Sequence, residues 1–195
     1  DVNGSGFALD NINTKFTGIV SSFGFKDYNY QNITADGQYQ NNKFDGNLSI
    51  NDKNFKMNFN GLADLSSKVY KFDFKSVITY LDLKQTHLFT RDSISNVKGN
   101  ITLDIEGNTF DDIVGKATFK NVLYTNEKEE YSFKEFNIAS SVKDSIKTIE
   151  VTSKDIAQGY VKGKFTFSEF LPVAQNALGS IYTNYKPYEV APNQF

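Results

Sequence analysis

His87 is the only histidine in the chain, and general acid–base chemistry would have to start there. A catalytic imidazole needs a nucleophile or carboxylate held beside it. The run Lys84-Gln85-Thr86-His87-Leu88 is polar and reads as a loop or edge. No spacing in the chain brings a partner to it, so a solvent-facing histidine is expected. Acidic groups cluster at Asp111-Asp112 and Glu127-Lys128-Glu129-Glu130. A calcium loop needs regularly spaced oxygen ligands and a turn glycine. Both clusters lack that pattern and read as solvated turns, as does Asn51-Asp52-Lys53-Asn54. Phosphate-cradling, dinucleotide and zinc-type spacings are missing too. The expectation is a non-enzyme without cofactor or metal.

The chemistry that the spacing does support is apolar contact. Seven glycines stand two residues from an apolar side chain on either side: Gly18, Gly37, Gly46, Gly61, Gly99, Gly115 and Gly163. Phe16-x-Gly18-x-Val20 and Val161-x-Gly163-x-Phe165 are the outermost examples. A spacing of two puts all three residues on one face of a β-strand. The residues between are mostly polar, as with Thr17, Asp36, Asn60, Lys98 and Lys162. Strand after strand thus has an apolar face with a missing side chain, and a wet face. Glycine weakens a strand and marks a bulge, a bend or a close approach. Its recurrence predicts one architectural cause, a strongly curved sheet with a notched apolar inner face.

The elements that would carry these faces are short alternating runs of about 5 to 9 residues. Strands are expected near 5–12, 15–25, 28–39, 43–50, 55–64, 69–82, 95–107, 113–124, 131–142, 147–153 and 158–168, the second and third each with a bend. Alternation is clearest in 55–63, 97–105 and 161–167. Phe55, Met57, Phe59 and Ala63 oppose Lys56, Asn58 and Asn60 in the first of these. A slip of one residue would expose such faces, so register is well specified. Links such as Gln40-Asn41-Asn42 and Lys143-Asp144-Ser145 carry turn chemistry, which predicts an antiparallel meander. The stretch from Tyr28 to Ser66 resembles that from Tyr131 to Ser168 in pattern, a weak internal repeat of stacked units.

At the C-terminus, Leu171, Val173, Ala174, Ala177, Leu178, Ile181 and Tyr182 lie at helical spacing. A helix over 170–184 is expected, with Pro172 in its first turn. The organisation is therefore a curved sheet over 1–168, then a helix and Pro-containing tail over 169–195 that packs on or caps the sheet.

Composition agrees with an all-β domain. Of 195 residues 15% are aromatic, all Phe and Tyr, and the three prolines fall at the C-terminal end. Net charge is −2 with interspersed signs, so the electrostatic footprint of a nucleic-acid binder is missing. There is no cysteine, hence no disulfide and no thiolate metal site. No run approaches the roughly 20 apolar residues of a membrane helix. The chain starts at Asp1 without Met and reads as a processed or excised piece, with any anchor or targeting signal outside it. The tracts Asn32-Ile33-Thr34 and Asn47-Leu48-Ser49 match a glycosylation pattern that is common by chance.

Periodicity alone leaves two packings open: a closed β-sandwich with both apolar faces buried, or an open groove. Seven inward glycines would empty a core, and one short helix cannot cover about eleven strands. Both points favour the groove. An outer-membrane barrel is disfavoured because spanning strands need roughly 9–11 residues and most runs here are shorter.

The recurring apolar-x-Gly-x-apolar strands resemble the TamB family of the AsmA-like group. Leu178-Gly179-Ser180-Ile181-Tyr182-Thr183-Asn184-Tyr185-Lys186-Pro187 is similar to a stretch in TamB-like proteins of Bacteroidota. Tyr70-Lys71-Phe72-Asp73-Phe74, Arg91-Asp92-Ser93-Ile94-Ser95 and Val97-Lys98-Gly99-Asn100 are similar to that group's central repeats. The resemblance covers most of the chain. It implies a mainly antiparallel β-taco or β-groove, one segment of a periplasmic bridge anchored in the inner membrane. It also implies shielding of phospholipid acyl chains on their way to the outer membrane. A partner of the Omp85 class is implied, TamA or a TamL-type lipoprotein, met through regions outside this segment. The alternative is a scaffold module that assists outer-membrane protein translocation and assembly through protein contacts. Neither anchor nor terminal partner-binding domain is present in the sequence. Under the groove reading Phe55, Met57, Phe59, Val97, Ile101, Leu103, Ile105, Phe119, Ile149, Val151, Phe165 and Phe167 line the groove by apolar contact, and the glycines leave room for tails. Exposed edge strands would permit edge-to-edge self-association.

Overall fold

The computed structural model describes residues 2–5, 13–89, 94–109 and 111–166. Eleven strands follow one another: β1 (Val2–Ser5), β2 (Asn13–Phe25), β3 (Tyr28–Gln40), β4 (Lys43–Asn51), β5 (Phe55–Asp64), β6 (Lys71–Asp82), β7 (Ser95–Glu106), β8 (Val114–Asn126), β9 (Glu130–Lys143), β10 (Ile146–Thr152) and β11 (Gln158–Gly163). They pair in sequence order into one sheet, and every pairing is antiparallel. The sheet is curved and open, and no helix occurs among the described residues. The expected helix over 170–184 and Phe167 lie outside them.

Turn chemistry explains the meander. Lys26-Asp27, Asn41-Asn42 and Asp144-Ser145 each hold two consecutive positive φ values, between 50° and 61°. Two such residues make the mirror-image turn whose twist matches antiparallel strands. Asn and Asp enter that region more readily than other side chains.

The first described strand is Val2–Ser5; the expected strand near 5–12 lies, from residue 6 on, outside the described residues. One sequence expectation needs correction: most strands outrun the alternating segments, reaching 14 residues in β9. Strand length is therefore no ground against a barrel. What distinguishes this sheet is its openness: no described pairing joins β11 to β1. It is likewise one sheet rather than two packed face to face.

The extra length comes from irregularities that let a strand continue past a break in alternation. Asn32 in β3 and Asn121 in β8 take φ of 52° and 51°. Around Asn32 the paired residues step from Val20 opposite Ile33 to Phe23 opposite Tyr30. Ile33 and Tyr30 nevertheless belong to one cluster, so three residues, not two, separate neighbours on that face. Around Asn121 the step runs from Phe119 opposite Phe136 to Val122 opposite Phe133. A register shift in β6 similarly separates Ile78 from Leu81. Bulges of this kind re-aim side chains and sharpen twist.

The glycines also find a local reason. Gly37, Gly46 and Gly61 stand directly opposite one another across β3, β4 and β5. A Cβ on Gly37 would sit 2.5 Å from the Asp45 carbonyl oxygen and 3.1 Å from the Phe44 ring. One on Gly61 would run into the Asp73 carbonyl, and one on Gly115 into that of Asp104; φ there is 139° and 119°. At these positions glycine admits a neighbouring backbone. Gly18 differs, with nothing within 4 Å of a Cβ.

Gly61→Ala and Gly115→Ala should each cost about 2 kcal/mol or more in chemical denaturation, from strained φ plus overpacking. Gly18→Ala should be neutral or stabilising by up to about 1 kcal/mol. Equal losses at all three would show that the glycines serve one common role instead.

Candidate functional site

Register assembles rows of residues on one face across the sheet. One row runs Ala35, Leu48, Phe59, Ser76, Ile101, Phe119, Phe136. The next carries Gly61, Phe74, Leu103, Ala117 and Ile138. Along β5, Phe55, Met57 and Phe59 are half-buried while Lys56, Asn58 and Asn60 are exposed. The opposite face is hydrogen-bonded and wet: Asn60 Nδ2 donates to Asn47 Oδ1 at 2.8 Å, and Thr17 Oγ1 to Asp36 Oδ1 at 2.8 Å.

Rings lean over the glycine row. Phe59 lies 6.0 Å from Phe44 and 4.8 Å from Phe74, centroid to centroid. Phe74 sits directly opposite Gly61, so the missing side chain makes space for a neighbour's ring.

Two grooves open on this face. The first, about 590 Å³, spans β2 to β5 and is lined by Val20, Phe23, Phe25, Tyr30, Ile33, Ala35, Tyr39, Phe44, Leu48, Ile50, Phe55, Phe59 and Leu88. The second, about 650 Å³, spans β7 to β11 and is lined by Ile105, Ile113, Gly115, Ala117, Ile138, Ser140, Ile149, Val151, Ala157, Gln158, Gly159, Tyr160, Val161 and Phe165. Neither lining contains a charged side chain. Small residues in the second, Gly115, Ala117 and Gly159, deepen it.

Of the expected lining residues, Phe55 and Phe59 fall in the first groove, and Ile105, Ile149, Val151 and Phe165 in the second. Met57 packs against the cluster of Tyr30, Ile33 and Ile50 beneath the first. Val97, Ile101, Leu103 and Phe119 are half-buried on β7 and β8 and belong to neither groove lining. Gly115 lines the second groove. A Cβ on Gly163 would sit 3.7 Å from the Phe165 ring, and one on Gly99 would sit 2.9 Å from Val122 Cγ2.

Sequence reasoning missed that the β6–β7 link contributes to the first groove. The described start of that link, residues 83–89, reaches back to β3 and the β2–β3 turn. Asp82 shapes it, accepting from the backbone N–H groups of Lys84 and Gln85 at 3.0 and 2.9 Å. Its carbonyl takes the Thr86 hydroxyl at 2.6 Å. Thr86 is fully buried; Tyr30 Oη donates to its carbonyl at 3.5 Å. Leu88 then enters the groove lining. His87 is exposed as expected, but it is not idle: its Nδ1 meets the Lys26 carbonyl at 3.0 Å, and its ring stands edge-on to Tyr28 at 6.4 Å.

Asp52, read as a solvated turn residue, is 2% exposed. Its carboxylate accepts from Tyr28 Oη at 2.5 Å, Gln31 N at 3.1 Å and Asn54 N at 2.8 Å. A buried carboxylate is tolerated because three donors replace its water. The only available signal was its position in a turn that continues an apolar strand, where the next inward side chain would fall. Burial, followed by the hydrogen bond to Asp52, pushes the Tyr28 phenol up to about 12. Burial also raises Tyr30.

Among the described residues of the grooved face, the Ser76 hydroxyl has no partner, and the residue is 4% exposed. Among the described residues no group of three His, Asp or Glu side chains is placed to hold a metal. No protein-family model, curated protein or solved structure matches this chain.

Asp52→Ala should destabilise the protein by roughly 2–4 kcal/mol in urea denaturation, since three donors lose a charged acceptor. A loss below about 0.5 kcal/mol would mean the cluster is not structural. A phenol whose pKa is raised on folding stabilises the fold in its protonated form. That contribution is whole below about pH 10 and is lost as pH rises through about 12. Unfolding midpoints followed across this window should fall more steeply for the wild type than for Tyr28→Phe; parallel slopes would refute the assignment.

Proposed function

We propose that this chain is a periplasmic segment of a TamB/AsmA-type bridge, which shields phospholipid acyl chains during transport between the inner and outer membranes. The observation that carries the reading is the pair of charge-free grooves on one face of a single open sheet, with no second described layer over them. A hydrocarbon tail needs no hydrogen bond to be held. Each buried methylene contributes about 0.8 kcal/mol, and uncovered apolar patches of this kind mark ligand or partner sites. In this reading the curvature makes the grooved face concave, as in a β-taco, and the wet face points to the periplasm. The described site residues act through apolar contact alone, so the chain would be a carrier and not an enzyme. The resemblance of Leu178–Pro187 and of the Gly-centred strands to TamB-like proteins is the sequence ground for the assignment. An Omp85-class partner and the inner-membrane anchor would belong to other parts of the protein.

A second reading, a scaffold for outer-membrane protein assembly, draws on the outer edge of β2. There β1 pairs only with Asn13 to Phe16, and no described strand lies beside 17–25 on that side. Such an edge invites strand addition by a protein or a second copy.

Native mass spectrometry of the purified chain should reveal co-purified phospholipid at reproducible stoichiometry. Ile149→Asp and Phe59→Lys, each placing an unpaired charge in a groove lining, should reduce it at least ten-fold. Asn58→Lys, on the wet face, should not. Folded variants that retain full lipid would overturn the groove reading, and a lipid-free wild type that binds protein strands would favour the scaffold.

A further inference from the structure

The orphaned hydroxyl of Ser76 is a polar feature of the grooved face that the acyl-chain reading leaves without a purpose. Ser76 lies on β6, directly opposite Phe59 on β5 and Ile101 on β7. The first groove ends at β5 and the second begins at β7, so this hydroxyl stands on the strand between them. It is 4% exposed, and its Oγ has no partner. Buried polar atoms without partners are rare in folded proteins, and each calls for an explanation. An alanine here would have filled the place without that cost.

The dimensions suggest what supplies the partner. Strands lie about 4.8 Å apart, so the first groove extends about 14 Å across its four strands and the second about 19 Å across its five. One leaflet's acyl chain fills about half of a hydrocarbon core that is roughly 30 Å thick, or about 15 Å. Each groove thus suits one chain, and the group that joins two chains would fall near β6. In a diacyl lipid that group bears ester carbonyl oxygens, which accept from a hydroxyl. We infer that Ser76 Oγ donates a hydrogen bond to an ester carbonyl of a diacyl glycerolipid whose two chains lie in the two grooves. The inference rests on the acyl-chain reading and adds to it a contact with the lipid's linkage region. Because Ser76 is 4% exposed, entry requires neighbouring side chains, among them Phe59 directly opposite it, to move aside.

The test compares dipalmitoyl phosphatidylcholine with its dihexadecyl ether counterpart, which has the same headgroup and no carbonyl. Both are titrated against a fluorescent fatty-acid probe bound to the full chain. The wild type should prefer the diester by about three- to ten-fold, the range of one net hydrogen bond. Ser76→Ala, which removes an unsatisfied group and should fold at least as well, should bind both equally. Ser76→Cys, close in size but a weak donor, should follow the alanine variant. A wild type without preference, or a preference that survives in either variant, would overturn the inference while leaving lipid binding intact. Failure of both lipids to displace the probe would instead overturn the groove reading beneath it.

Discussion

Backbone pairing between sequence neighbours is the interaction on which everything else in this protein depends. Each strand is satisfied by the strands before and after it, and no second described layer holds the sheet in place. Side-chain burial is correspondingly thin: Tyr30, Ile33, Ala35, Ile50 and Leu81 are the buried apolar residues of the described sheet. A sheet of this kind must fix its own register. It does so with left-handed two-residue turns at three hairpins, with alternation that penalises slippage, and with glycines whose neighbours approach too closely for any side chain.

Those same devices shape the grooved face. Where Gly37, Gly46 and Gly61 stand in line, backbones come together and the rings of Phe44, Phe59 and Phe74 lean across. Bulges at Asn32, in β6 and at Asn121 turn apolar residues back to the same side after a break in alternation. The face is therefore continuous over strands far longer than their alternating cores. At one end the cluster around Asp52 joins the β2–β3 and β4–β5 hairpins, and the β6–β7 loop crosses to meet it. The first groove consequently takes Leu88 of the β6–β7 link into its lining, whereas the second takes Ile113, Ala157 and Phe165 from links and chain beyond β11.

A surface so built has little use for individual polar contacts, which makes its polar exceptions informative. Asp52 is buried but fully engaged and belongs to the frame. Ser76 is buried on the grooved face and its hydroxyl is unengaged, which is the observation the proposed ester contact rests on. The proposed carrier role and the proposed ester contact both draw on this contrast between groove linings without charged side chains and one unmatched hydroxyl.

Local pattern was enough to read the all-β class, the meander and ten of the eleven strands closely. The pairing of apolar and polar residues at a spacing of two, and turn residues such as Asn41-Asn42, act over a few residues and need no knowledge of the rest. The same pattern chose the drier side of β5 and β7, where Phe55, Phe59 and Ile105 reach the grooves. Tertiary structure decided the remainder, because it depends on what lies opposite. Gly37 and Gly18 occur in the same motif, yet only Gly37 faces a backbone that excludes a side chain. Asp52 and Asp111 both look like turn carboxylates, but three donors from separate segments converge only on Asp52. Ser76 looks like any strand serine until Phe59 and Ile101 are placed on either side of it. Spacing along the chain sets which face a residue occupies, whereas its burial and its partners are set by strands that the chain reaches only after folding.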